Sequence, residues 1–132
     1  MAREASKLSI SINRSAAEAY EFLSVPENFP KWASGLGKSL RQAGEDWIAE
    51  TAEGPVMVRF CERNSFGVLD HSVKLPRGTS VYVPLRVVAN AEGCELVLTL
   101  FRQPDVSDEK FAADVEWVMR DLNAAKRILE GH

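Results

Sequence analysis

The chain has two histidines, His71 and the terminal His132. Acid–base chemistry near neutral pH therefore narrows to His71. It stands in phase with Leu69, Val73 and Leu75, so strand alternation puts it on an apolar face. If that face is concave, a titratable imidazole points into a cavity. There it can act as a general acid or base, for example in an aldol-type cyclisation or dehydration. It can equally contact a ligand, or sit as a buried histidine bonded to a neighbour or to water. Asp70 belongs to the opposite face, toward solvent, which argues against an Asp70–His71 dyad unless a bulge intervenes. Trp32 carries an indole N–H that needs a partner when buried, and it can pack the neighbouring helices or stack on a ligand. Glu62 and Arg102 are in phase with Phe60 and Leu100, and charges so placed reach solvent, pair with each other, or anchor a ligand. Arg59 and Arg86 read as outer-face residues, Arg86 as a solvated charge.

Other chemistries lack their residues. Gly35-Leu36-Gly37 is too short for a phosphate loop and does not lead from a strand into a long helix. No serine nucleophile elbow, usefully spaced carboxylate pair or metal-ligand cluster is present, and no cofactor is implied. An enzyme here would rely on a shaped pocket and one or two polar groups.

The 132 residues are 45% hydrophobic and 27% charged, with a net charge of −3. This is the range of one ordinary globular domain, residues 1–132. Without a basic block, nucleic acid is excluded as a partner. No apolar run approaches the ~20 residues of a membrane span, so membrane insertion is excluded too. The stretch Met1 to Lys7 is not followed by an apolar segment of the secretory type, so a cytoplasmic location is expected. Cys61 and Cys94 read as free, buried thiols of a reducing compartment.

The elements that position these groups follow from periodicity. Leu8, Ile10 and Ile12 alternate with polar residues as a half-buried strand. Ser15 and Glu18 form a capping box for a short helix through Leu23. A second short helix spans Glu27 to Gly37, with Pro30 in its first turn and Gly35 and Gly37 ending it. Strands then follow at Ser39–Ala43, Asp46–Thr51, Val56–Glu62, Phe66–Leu75, Val81–Val88 and Cys94–Arg102, joined by short turns as an antiparallel meander. Pro84 within the fifth of these marks an edge or a bulge. The last element is a long amphipathic helix from Ser107 to Gly131, with Phe111, Val115, Val118, Met119, Leu122, Ala125 and Leu129 on one face. Ser107 is its N-cap and Gly131 its C-terminal stop.

This order resembles the helix-grip fold of the SRPBCC superfamily, which includes START domains, birch-pollen-allergen-like proteins and bacterial polyketide cyclase/dehydratase-like proteins. Three stretches carry the resemblance: Ile10 through Leu23, the segment from Pro26 to Trp32, and Thr99 to Pro104 with the helix beyond. Gly67 to Val73 looks like one bacterial subgroup. The resemblance implies an α+β domain. About seven antiparallel strands, in β-α-α-β6-α order, curve around the C-terminal helix. It also implies a cavity between sheet and helix, opening near the two short helices. Its lining would come from Trp32, Phe60, Leu69, His71, Leu85, Leu98, Phe111, Val115 and Met119. The expected occupant is a small apolar or aromatic molecule, lipids included. Two alternatives stay open. One is a cyclase/dehydratase-like enzyme using His71. The other is a protein-interaction module, like the chaperone-ATPase-activator branch, with a filled core and an exposed apolar patch. Tyr82, Val88, Val97 and Phe101 on the outer face suit that module or a homodimer, and Trp117 suits a homodimer contact or a cover for the sheet edge.

Overall fold

The computed structural model describes residues 1–34 and 40–131. Strand β1 (Ala5–Ile12) leads into helix α1 (Ala16–Leu23), a 3₁₀ turn (Pro26–Asn28) and the single-turn helix α2 (Phe29–Trp32). Strands β2 (Arg41–Ala43), β3 (Asp46–Thr51), β4 (Gly54–Phe60), β5 (His71–Lys74), β6 (Ser80–Val83), β7 (Leu85–Asn90) and β8 (Gly93–Phe101) follow, and helix α3 (Asp108–Glu130) closes the chain. The expected stops at Gly35 and Gly37 lie outside the described residues, as does the start of the strand expected at Ser39.

The capping logic holds at α1 and α3. The Ser15 hydroxyl accepts from the Glu18 N–H at 3.1 Å and the Ser107 hydroxyl from the Lys110 N–H at 3.1 Å, each meeting a donor the helix leaves open. Gly131 ends α3 in the left-handed region at φ 81°, where a side chain would be strained.

All strand pairs are antiparallel, in the order β2-β3-β4-β5-β6 and β1-β8-β7. The strand expected over Val81–Val88 is two, divided at Pro84. Thr99 N–H still donates to the Pro84 carbonyl at 3.0 Å, but Pro84 has no N–H to return. The division does not separate the sheets, because the chain ahead of β5 pairs with β7. Leu69 N–H donates to Leu85 O at 2.7 Å and Val87 N–H to Gly67 O at 2.9 Å. The result is one curved sheet with a bend at Pro84. The strand expected over Phe66–Leu75 accordingly starts only at His71, with Gly67–Leu69 as a bridged approach. Gly67 is required there: its φ is +73°, and a Cβ would stand 2.4 Å from the Val87 carbonyl oxygen.

Helix α3 lies against β1 and α2. Leu122 and Ala125 are fully buried beneath it, while Trp117 and Ile128 at its edges are exposed. Polar ties fix its pose. Lys126 Nζ donates to Ser11 O at 2.7 Å, and the Glu130 carboxylate accepts from the Asn13 N–H at 2.7 Å. Arg102 ties the start of α3 to the chain N-terminus through Asp108 and Glu4, with its guanidinium over the Phe111 ring. Arg102 therefore pairs with neither Glu62 nor a cavity. No described helix is long and apolar enough to cross a membrane.

Candidate functional site

Helix α1, the short α2 and the sheet bend enclose a cavity of about 40 Å³. Phe29 and Trp32 reach it from α2, Tyr20 and Leu23 from α1, Phe60 from β4, and Leu69, His71 and Leu85 from the bend. Ser24 and Arg63 stand at its rim. In its wall Phe29 stands edge-on to Trp32, Phe60 and His71, with ring centroids 5.2, 5.3 and 5.2 Å away. Edge-to-face contacts of this kind set a negative ring face against a positive ring edge. Of the residues expected to line a cavity, Trp32, Phe60, Leu69, His71 and Leu85 come together here. Leu98 is buried in the main core, Phe111 is buried under Arg102, and Val115 and Met119 are half-buried on α3. Among the described residues this cavity does not reach α3.

His71 is 5% exposed. Its Nδ1 lies 3.0 Å from the Leu69 carbonyl oxygen, a contact that requires the ring to donate from Nδ1 and leaves Nε2 with a lone pair. Burial pushes its pKa down, against the opposing pull of the Leu69 carbonyl and of Asp70. The imidazole is thus neutral at neutral pH. Nε2 has no hydrogen-bond partner among the described residues. Trp32, 4% exposed, buries an indole N–H that has no acceptor among the described residues.

Asp70 points to the outer face, as alternation requires, but it does not reach solvent: it is 4% exposed. Tyr82 and Arg86, on the same face of β6 and β7, cover it. Its carboxylate accepts from the Tyr82 hydroxyl at 2.7 Å, the Leu85 N–H at 2.9 Å, and Arg86 Nε and Nη2 at 3.2 and 2.9 Å. Burial alone would raise its pKa, but the Arg86 guanidinium, the Tyr82 hydroxyl and the Leu85 N–H outweigh it and hold the carboxyl at about 2. Arg86 stands on the outer face as expected, with its side chain 54% exposed, and is in addition ion-paired with Asp70 at 2.9 Å.

Asp70 and His71 have complementary tasks at the bend. An antiparallel pair such as Leu69–Leu85 normally exchanges two main-chain bonds. Here one survives, Leu69 N–H to Leu85 O. The other two main-chain groups are met by side chains: the Leu85 N–H by Asp70 on the outer face, and the Leu69 carbonyl by His71 on the inner. Nothing in the strand pattern marks this pair in advance. Pro84 opposite Asp70 was its one visible sign.

The loop after β4 is held by Asn64. Its side chain donates to Glu62 O and Val68 O and accepts from the Phe66 and Val68 N–H groups, while its own N–H donates to the Tyr20 hydroxyl oxygen at 2.8 Å. Arg63 is paired with Glu21, donates to Ser24 Oγ at 2.6 Å, and lies over the Tyr20 ring. Cys94 is buried as expected, but Cys61 is exposed, because it follows inward-facing Phe60 and so takes the outer face. Both are free thiols. No group of residues suited to a metal ion occurs among those described.

The backbone path has close counterparts. The protein XoxI from Bacillus cereus superposes with a TM-score of 0.75 at 15% identity, over 98% of this chain and 96% of that one. The Aha1 dimer from Colwellia psychrerythraea gives 0.71 at 14% identity, over 96% of each chain. A START superfamily protein from Mycobacterium smegmatis gives 0.68 at 10%, over 95% of this chain and 98% of that one. This is a helix-grip fold. No family model matches the chain, and no curated protein matches it by sequence. The expected α+β architecture, a curved antiparallel sheet with a long C-terminal helix, stands.

Proposed function

We propose that the protein binds a small apolar or aromatic molecule in the cavity walled by Phe29, Trp32, Phe60, Leu69, His71 and Leu85. One observation carries this reading. A buried indole N–H without an acceptor is costly, by roughly 1–3 kcal/mol, and native structures rarely keep one without a reason. The Trp32 N–H is such a donor, on a residue that walls a cavity lined mainly by aromatic and aliphatic side chains. Sites for small ligands combine apolar walls with a few placed polar groups in this way. Cavities that admit benzene measure roughly 150 Å³, so a ring enters only if the walls give. The wall best able to give is α2, one turn long and tied to α3 by two bonds from Ser34 to the Asp121 carboxylate.

The test is a thermal-shift screen against lipids, quinones, flavonoids and small aromatics, run on wild type and on Leu69→Phe, which fills the cavity. A ligand at 100 times its Kd adds about 2.7 kcal/mol of stability. Wild type should shift by several degrees and Leu69→Phe should not. No shift across the panel, or equal shifts in both proteins, sinks the proposal.

A second reading has its own support. The Leu69 contact fixes the His71 tautomer and leaves Nε2 with a lone pair on a residue that lines the cavity, and such a base is what proton abstraction in a cyclisation or dehydration needs. Turnover of a ligand found in the screen, abolished in a stable His71 variant, decides for it.

A further inference from the structure

We infer that the apolar molecule in this cavity carries one carboxylate, which the Arg63 guanidinium receives at the mouth in place of Glu21. This rests on the binding reading above and adds the polar end of the ligand.

Exposure places the mouth. Of the residues that line the cavity, Cys61 and Arg63 are the exposed ones. Both belong to the segment after β4, and Arg63 reaches from there across to α1. Three contacts hold its guanidinium. The Ser24 hydroxyl oxygen accepts from Nη1 at 2.6 Å, the Tyr20 ring centroid lies 5.3 Å away, and the Glu21 carboxylate pairs with Nη2. Ser24 and Tyr20 line the cavity themselves, so they keep the guanidinium at the mouth when Glu21 leaves. Glu21 stands outside the lining, and its side chain is 67% exposed. An ion pair so exposed contributes little, and exchanging Glu21 for another carboxylate therefore costs little.

The charges of the lining point the same way. Arg63 and Asp70 are its ionised members, and Asp70 is neutralised from the outer face by Arg86. Arg63 is the cation left to meet a ligand. A guanidinium offers five N–H groups in a planar fork that fits a carboxylate through two of them. Ser24 and Glu21 engage two of the five, and three remain. An ammonium on the ligand would be repelled, and a neutral alcohol would leave the charge unanswered. Behind the mouth stand Leu23, Phe29, Phe60 and Leu85, an apolar wall suited to the body of the molecule.

Two matched pairs of probes test this: octanoate against octanol, and phenylacetate against phenethyl alcohol. Each is titrated calorimetrically at pH 7, below the micellar range, into wild type, Arg63→Gln, Glu21→Gln and Leu69→Phe. The first two variants change exposed side chains and leave the fold intact. In at least one pair the acid should bind wild type roughly fivefold more tightly than the alcohol, an advantage that shrinks at high salt. Arg63→Gln should erase the advantage and leave the alcohol unchanged. Glu21→Gln should enlarge it, and Leu69→Phe should abolish binding of acid and alcohol alike. Equal binding of acid and alcohol by wild type in both pairs overturns the carboxylate and leaves the cavity reading intact. An acid preference that survives Arg63→Gln, or fails to grow in Glu21→Gln, overturns it too. So does acid binding undiminished in Leu69→Phe, because the acid then sits on the surface. If neither acid nor alcohol binds, this inference falls together with the reading beneath it.

Discussion

Asp70→Asn tests the electrostatic account of the sheet bend. The substitution keeps the side chain's shape and removes its charge. A carboxyl lowered from 3.8 to about 2 contributes roughly 2.5 kcal/mol of stability at neutral pH. Cutting one partner out of a buried ion pair can cost 3–5 kcal/mol, but the Arg86 side chain is 54% exposed and regains water, which places the loss at the lower end. The Leu85 N–H can still donate to the amide oxygen. Asp70→Asn should therefore cost about 2–3 kcal/mol at pH 7. The pH dependence has a definite sign. The folded-state pKa is depressed, so the stabilisation is present above the unfolded value and fades as pH falls from about 5 toward 2. The gap between wild type and variant should close over that window. Urea unfolding followed by tryptophan fluorescence, at pH 7, 5, 4 and 3, measures it. A loss under 0.5 kcal/mol, or a gap as wide at pH 3 as at pH 7, would refute the reasoning.

Three further outcomes follow from packing and backbone geometry. Leu122→Ala, beneath α3 at full burial, should cost about 2–5 kcal/mol in urea unfolding, whereas Trp117→Ala, exposed on the same helix, should stay within about 0.5 kcal/mol. Gly67→Ala forces a side chain against the Val87 carbonyl and should lower Tm by several degrees, with the loss of hydrogen-exchange protection concentrated at Val87 and Leu69. Ser107→Ala removes the cap bond to Lys110 and should cost about 1 kcal/mol.

The helices and most strands were legible in the sequence because their signals are local. Ser15, Ser107 and Gly131 act on neighbours within a few residues, and the alternation in β1, β4 and β8 survives because each buries one face. What escaped is non-local. Asp70 was assigned correctly to the outer face, but its burial depends on Tyr82 and Arg86, brought over it by strand pairing across the Pro84 bend. The cavity was expected between the sheet and α3, opening near the two short helices. It lies at the short helices, under α1 and α2, and does not extend to α3, which spends its apolar face on β1 and the α2 segment. Five expected lining residues still meet there. They sit on the inward phase of the strands around the bend, or on the short helix that covers it, and that phase was readable.

The structure also changes how a histidine experiment must be read. His71 donates to the Leu69 carbonyl, which has lost its strand partner, so His71→Ala leaves that carbonyl unmet and should cost about 1–3 kcal/mol. Loss of binding or turnover in that variant would then reflect a loosened cavity wall as readily as a missing base. His71→Asn separates the two. Its amide nitrogen occupies the place of Nδ1 and can donate to Leu69 O, while nothing replaces Nε2. His71→Asn should therefore be more stable than His71→Ala by about 1 kcal/mol, measured by urea unfolding at pH 7. If the two variants are equally destabilised, the Leu69 contact does not hold the bend. If His71→Asn recovers stability and still binds a ligand found in the thermal-shift screen as wild type does, the bend needs only the donor, and His71 Nε2 has no part in holding the ligand.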